Sequence, residues 1–158
     1  MKIGIGYDIH RFKKGNFIFL GGIKIPFKKA VEAHSDGDVL IHAICDAILG
    51  ALAENDIGML FPDTETRYKD ISSVFLLKQV IDILDKNKYY INNLDCVIIV
   101  EQLKISFYKK TIINNLSNIL NVKKGCINIK GKTMEGIGEI GKNKAIASWV
   151  VVLLEKKL

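Results

Sequence analysis

The chain is poor in the residues that build disulfide scaffolds, flexible linkers and membrane spans. Its three cysteines, Cys45, Cys96 and Cys126, are too few and odd in number for a disulfide framework. Each lies in an apolar run and no pair has metal-ligand spacing, so three buried thiols in a reducing compartment are expected, with no thiolate metal site. Proline occurs twice in 158 residues. With no Pro/Gly/Ser-rich stretch to divide it, residues 1–158 are expected to form one domain. The longest apolar run, AIASWVVVLL from Ala145 to Leu154, falls well short of the roughly 20 residues of a membrane helix and reads as a buried strand; no membrane partner is expected. The opening MKIGIGYDIH has neither the layout of a signal peptide nor the Arg/Ser-rich look of a transit peptide. The expected location is the cytoplasm if the source is bacterial, or a plastid-type organelle if a transit peptide was removed.

Arginine is also scarce, at Arg11 and Arg67 alone, and the net charge of +6 comes from lysines scattered through segments such as KNKYY, YKKTI and KNKA. There is no RGG run, no aromatic RNP-like motif and no zinc-finger spacing, so nucleic acid is not an expected partner. A small anionic substrate fits the charge.

What is present is a globular composition, 49% hydrophobic with a mean hydropathy of +0.19. KIGIGYDIH reads as a strand. FIFLGGIKIPF, with Gly-Gly between two apolar runs, reads as a hairpin. Asp38 is placed to cap a helix VLIHAICDAILGAL. ENDIGMLFPDTETRYKD reads as irregular. The spacing of Val74, Leu77, Ile81 and Leu84 predicts a helix over about Ile71 to Asn87. Leu94–Val100 reads as a strand, Ser106–Asn121 as a helix, CINIKGK as a strand, and Ala145–Glu155 as the last strand after the turn EGIGEIG. This order implies an α+β sandwich with helices on one face of a mixed sheet.

Histidine, too, is rare, and all three are oddly placed. Asp8 and His10 lie two apart on the first strand and so share a face, with Tyr7, Ile9 and Arg11 on the other. His42 and Asp46 lie one turn apart on a helix that is otherwise apolar nearly all round. Left without partners there, they would cost several kcal/mol. Either they form a hydrogen-bonded pair in the core, or His42 faces a polar site and Asp46 orients its ring. In the second case Asp8, His10 and His42 make two histidines and one carboxylate, the usual make-up of a catalytic zinc site with one open position. His34 opens the polar loop HSDGD before a helix N-terminus, which suits an anion or a plain capping loop. In KGKTMEG, Lys132 and Thr133 suit phosphate oxygens and Glu135 suits a hard cation such as Mg²⁺, or the segment is an ordinary polar turn.

YDIHRF, IxLGGIKIPF, AHSDGDVLIHAICDAILGAL, DIGMLFPDT and KGKTMEGIGEIG occur together in one order and spacing. In this the chain closely resembles the 2-C-methyl-D-erythritol 2,4-cyclodiphosphate synthases of non-mevalonate isoprenoid biosynthesis, from Met1 to the last strand. The resemblance implies a ferredoxin-like two-layer sandwich, assembled as a homotrimer with active sites between subunits. It implies a phosphorus–oxygen lyase whose substrate is a cytidine diphosphate ester of methylerythritol bearing a 2-phosphate; that phosphate attacks the β-phosphorus and CMP leaves. The family's zinc ligands fall on Asp8, His10 and His42. His34 and Ser35 match contacts to the 2-phosphate, with His34 and Thr133 in catalytic roles. Glu135 matches a ligand of a second cation, Mg²⁺ or Mn²⁺, and Lys132, Thr133, Met134 and Glu135 a phosphate-binding span. Asp56, Ile57 and Gly58 match the methylerythritol-binding segment, extended by Phe61, Pro62, Asp63, Thr64 and Glu65; Asp8 and His10 also border the substrate. Val100, Lys104, Ile105 and Ser106 match the cytidine pocket, supplied by the neighbouring subunit.

The chain departs from the commonest family pattern at four places. Leu103 stands where Pro is frequent and Glu65 where Asp is; Glu139 and Lys142 replace an aromatic and an Arg that line the trimer's central cavity, so no effector site there is carried over. Two rival readings stay in view. A zinc hydrolase would use the same three ligands to activate water. A basic nucleic-acid module with structural zinc would show strongly salt-dependent binding.

Overall fold

The computed structural model describes residues 1–62 and 71–157. Seven strands and five helices are found among them: β1 (Lys2–Lys14), β2 (Phe17–Leu20), β3 (Ile23–Pro26), β4 (Lys29–Val31), α1 (Val39–Leu52), α2 (Ile57–Leu60), α3 (Ser73–Lys86), β5 (Tyr89–Ile99), α4 (Lys109–Leu120), β6 (Ile127–Lys132), α5 (Gly138–Gly141) and β7 (Ala145–Lys156). The main sheet has the order β4-β1-β7-β5-β6, and β2 and β3 form a separate hairpin. All pairings in the main sheet are antiparallel except β5 with β6. The architecture is therefore α+β with a mixed sheet, as the element order implied.

Local chemistry accounts for the first half of the fold. Gly21 and Gly22 take positive φ of 61° and 75°, which a two-residue hairpin turn requires and which costs glycine little. Their N–H groups donate to the two carboxylate oxygens of Asp38 at 2.9 and 2.7 Å. The same side chain accepts from the N–H of Leu40 (3.2 Å) and Ile41 (3.0 Å), capping α1. One buried carboxylate thus ties the hairpin turn to the helix start. Burial pushes the Asp38 carboxyl above its ordinary range, and the N–H groups of Gly22, Ile41 and Gly21 pull it back.

Helix α1 is buried on nearly every side because it lies across β1 and β7 and packs against α3. The close approach to β1 depends on two glycines. A Cβ on Gly4 would stand 1.9 Å from the Ala47 carbonyl oxygen, and one on Gly6 1.9 Å from that of Ala43. Gly4, Gly6, Asp8 and His10 all face the helix layer, while Ile3, Ile5, Tyr7 and Ile9 stand exposed on the opposite side of the sheet with Trp149 and Val151 of β7. The helices therefore cover one face, and among the described residues no element covers the other, which is apolar.

Several boundaries differ from those read in the sequence. β1 continues to Lys14 and β5 begins at Tyr89; both extensions are held by ladder partners, on β4 and on the end of β7. α4 begins at Lys109, after a single 3-10 turn at Ile105–Phe107. The irregular stretch after α1 holds a short helix, α2, capped by Asp56, whose carboxylate accepts the Met59 N–H at 2.9 Å. Cys45 and Cys96 are buried, but Cys126 is only half-buried, because it lies on the surface turn that enters β6.

Candidate metal centre and substrate cleft

β1 carries Asp8 and His10 side by side on its helix-facing side, and Ile9 between them points away. α1 lowers His42 onto the same spot. Asp8 Oδ2 lies 3.0 Å from His10 Nε2 and 3.0 Å from His42 Nδ1, and the two ring nitrogens are 3.2 Å apart. Three donor atoms on bonds of about 2.0–2.1 Å to one tetrahedral zinc would stand roughly 3.3–3.4 Å apart. The observed triangle is within a few tenths of an ångström of that, and it is the one such group of His, Cys or carboxylate side chains among the described residues. The donor set and its spacing therefore fit a zinc ion.

Without metal, the triangle is held by proton sharing. Burial alone would raise the Asp8 pKa, but hydrogen bonds from His10 and His42 hold it well below the usual carboxylate range. Burial would lower the His42 pKa, but the Asp8 carboxylate outweighs it and raises the ring above its ordinary value. A metal cation would replace the shared protons.

Asp46 is not bonded to His42. Its carboxylate accepts the Ile57 N–H at 3.0 Å, so it ties α1 to the start of α2; both readings of a His42–Asp46 pair are thus corrected. One turn of helix puts the two residues on neighbouring rows, but the N–H of Ile57 offers Asp46 a donor that the ring, already engaged, does not. The outer nitrogen of His42 instead faces two hydroxyls, Ser73 Oγ at 2.9 Å and Ser35 Oγ at 3.3 Å.

The triangle lies in a cleft of about 290 Å³, lined also by His34, Ser35, Ile57, Gly58 and Phe61. His34 is exposed and Ser35 half-buried, and both border the cleft while Asp38 caps α1. Asp56 sits at the head of α2 beside this cleft and Pro62 follows Phe61. Asp63, Thr64 and Glu65 lie outside the described residues.

Val100, Lys104, Ile105, Ser106, Lys132 and Thr133 line a different cleft, of about 560 Å³, between β6 and the segment after β5. Met134 and Glu135 continue from it on an exposed turn, where Thr133 Oγ1 donates to Glu135 Oε1 at 2.5 Å. The structure thus gathers the predicted residues into two groups and does not bring them together within one chain. It also adds residues that the sequence did not mark. Glu101 accepts the N–H of Met134 (3.0 Å) and Gly136 (3.2 Å), so a carboxylate from the first segment shapes the second. Ser73 is fully buried at the start of α3; a small polar residue among Val74, Leu76 and Leu77 was the available sign of it.

The model of the YgbB family matches residues 1–155. The chain belongs to the YgbB family. It is 49% identical over 153 residues to the 2-C-methyl-D-erythritol 2,4-cyclodiphosphate synthase of Caldicellulosiruptor bescii, covering 97% of this chain and 98% of that one. Among solved structures, it is similar to a CDP complex of IspF from Plasmodium falciparum, with a TM-score of 0.88 and 41% identity over 99% of this chain and 97% of the other. It also matches the bifunctional IspDF of Campylobacter jejuni at a TM-score of 0.93 and 35% identity; 98% of this chain is covered there, but only 42% of that longer protein.

Proposed function

We propose that this YgbB-family chain is a single catalytic domain of ferredoxin-like two-layer form that acts as a homotrimer. Its reaction converts 4-diphosphocytidyl-2-C-methyl-D-erythritol 2-phosphate to 2-C-methyl-D-erythritol 2,4-cyclodiphosphate and CMP, as a phosphorus–oxygen lyase of the non-mevalonate isoprenoid pathway. The observation that carries the reading is the triangle of Asp8, His10 and His42, with edges of 3.0–3.2 Å, opening into the cleft that His34 and Ser35 border. Asp8, His10 and His42 would hold a zinc ion there, which would supply a Lewis acid for a phosphate oxygen of the substrate.

The chain's own residues supply position and charge. His34 and Ser35 hold the 2-phosphate at the cleft mouth. Asp56, Ile57 and Gly58, at the start of α2, bind the methylerythritol moiety. Thr133 stabilises the transition state from the diphosphate side, and Glu135 would hold Mg²⁺ or Mn²⁺, which would offset the diphosphate charge. Val100, Lys104, Ile105 and Ser106 hold the cytidine. Attack by a phosphate on the same substrate is intramolecular, so fixed geometry lowers the barrier without a covalent intermediate.

The two clefts of one chain join only if copies of the chain meet. The bare sheet face supports such a meeting: Ile3 and Ile5 are 71% and 61% exposed, beside Trp149 at 44%, a patch unusual for a monomer surface.

The reading is tested with a substrate analogue that lacks the 2-phosphate. A cyclase releases CMP from the full substrate and none from the analogue, because the nucleophile is missing. A zinc hydrolase, using water, would release CMP from both.

A further inference from the structure

A metal-binding histidine needs a partner on its other nitrogen to fix the ring and its tautomer. His42 meets the triangle through Nδ1, and its Nε2 lies 2.9 Å from Ser73 Oγ. The Ser73 hydroxyl donates to Asp36 Oδ1, and the Ser73 main-chain N–H donates to Asp36 Oδ2 at 2.9 Å. A carboxylate only accepts, so the hydroxyl proton is committed to Asp36. The serine oxygen is left as an acceptor, and Nε2 must carry the proton. Once a metal replaces the proton that Nδ1 shares with Asp8, Nδ1 is left as a lone pair aimed where Asp8 and His10 converge. Ser35 Oγ, at 3.3 Å from Nε2, is the more distant neighbour and already accepts the Gly37 N–H.

We propose that Asp36 and Ser73 are positioning residues for the metal: a carboxylate–serine pair that locks His42 in the Nε2–H tautomer and sets its ring plane. The proposal rests on the reading of Asp8, His10 and His42 as metal ligands. It also gives Asp36 of the HSDGD loop a role, while Asp38 caps α1, and it explains why a serine is fully buried at the head of α3. The pair spans two segments, so the start of α3 is tied to the loop that carries His34 and Ser35.

The test is zinc affinity measured by competition with a chromophoric chelator, on wild type and on Ser73→Ala, Ser73→Thr and Asp36→Asn. Loss of a group that orients a metal ligand typically costs about 10–100-fold in affinity, and that loss is expected for Ser73→Ala. Ser73→Thr keeps the hydroxyl and should recover most of it. Asp36→Asn can donate its amide to the serine oxygen, which turns the hydroxyl proton toward Nε2 and favours the wrong tautomer; it should bind zinc weakly even if Ser73→Ala fails to fold. Long-range ¹H–¹⁵N spectra of zinc-loaded wild type should show His42 protonated at Nε2. Wild-type affinity in folded Ser73→Ala or in Asp36→Asn, or a His42 protonated at Nδ1, would overturn the pair's role while leaving the metal site intact. Failure of wild type itself to bind zinc would remove the metal reading and the proposal with it.

Discussion

Gly6→Ala is a one-carbon change that should damage the proposed metal centre from within the sheet–helix contact. The added Cβ would stand 1.9 Å from the Ala43 carbonyl oxygen and 2.7 Å from the Ala47 nitrogen. A relaxed contact needs roughly 3.5 Å, and both obstacles are helix backbone, so α1 must retreat by more than ~1 Å. Ala43 is the residue after His42, and Gly6 lies two before Asp8. The retreat therefore widens the triangle that is now 3.0–3.2 Å on its edges. Metal sites tolerate only about 0.2 Å in bond length. Overpacking of this kind costs about 1–3 kcal/mol, read by urea unfolding of the metal-free protein. Zinc affinity should fall about tenfold or more, in the range seen when ligand orientation is lost. Gly4→Ala is the control. Its Cβ meets Ala47 and Ala51, one turn further from His42, so it should cost similar stability and spare more of the zinc affinity. A Gly6→Ala protein with native stability and native affinity would refute the argument, as would a Gly4→Ala protein with the greater zinc defect.

Three other outcomes are expected. Asp38→Ala leaves the N–H groups of Gly21, Gly22, Leu40 and Ile41 without their acceptor and should lower unfolding free energy by about 2–4 kcal/mol; a loss under about 0.5 kcal/mol would contradict the tie between hairpin and helix. The Asp8–His42 pair makes metal-free stability depend on pH. Asp8 is held below its ordinary 3.8, so its contribution is present above that value and lost on strong acidification; His42 is raised above 6.5, so its contribution is present below 6.5 and lost as pH rises through the raised value. Thermal scans of metal-free protein should peak between about pH 4 and 6.5, whereas zinc-loaded protein should gain stability with pH across neutrality, since zinc needs neutral histidine; parallel profiles would refute this. Glu135→Gln should raise the Mg²⁺ or Mn²⁺ concentration needed for turnover and leave bound zinc unchanged in metal analysis; an unaltered divalent-ion titration would remove Glu135 from the second cation.

The parts of this molecule legible in the sequence are those with short-range causes. The Gly21–Gly22 turn, the Asp38 cap and the two-residue spacing of Asp8 and His10 each follow from local geometry, and His42 stood out as a polar residue in an apolar helix. What was hidden depends on contacts between distant segments. Helical spacing points Asp46 toward His42, but its partner is the Ile57 N–H, beyond the end of the helix. Ser73 meets His42 across 31 residues, and Glu101 reaches Met134 and Gly136 from another strand's end. Gly4 and Gly6 read as ordinary strand residues because nothing in a single strand tells which helix will lie on it. The apolar residues of β1 were equally ambiguous: Ile3 and Ile5 look like core, yet they face outward.

The most direct test of the account is to incubate the purified, zinc-loaded protein with 4-diphosphocytidyl-2-C-methyl-D-erythritol 2-phosphate and Mg²⁺, following CMP by chromatography and phosphorus by ³¹P NMR. The account predicts one cyclic diphosphate for each CMP released. CMP accompanied by a linear product would contradict it, because water rather than the 2-phosphate would then be the nucleophile at the Asp8–His10–His42 centre.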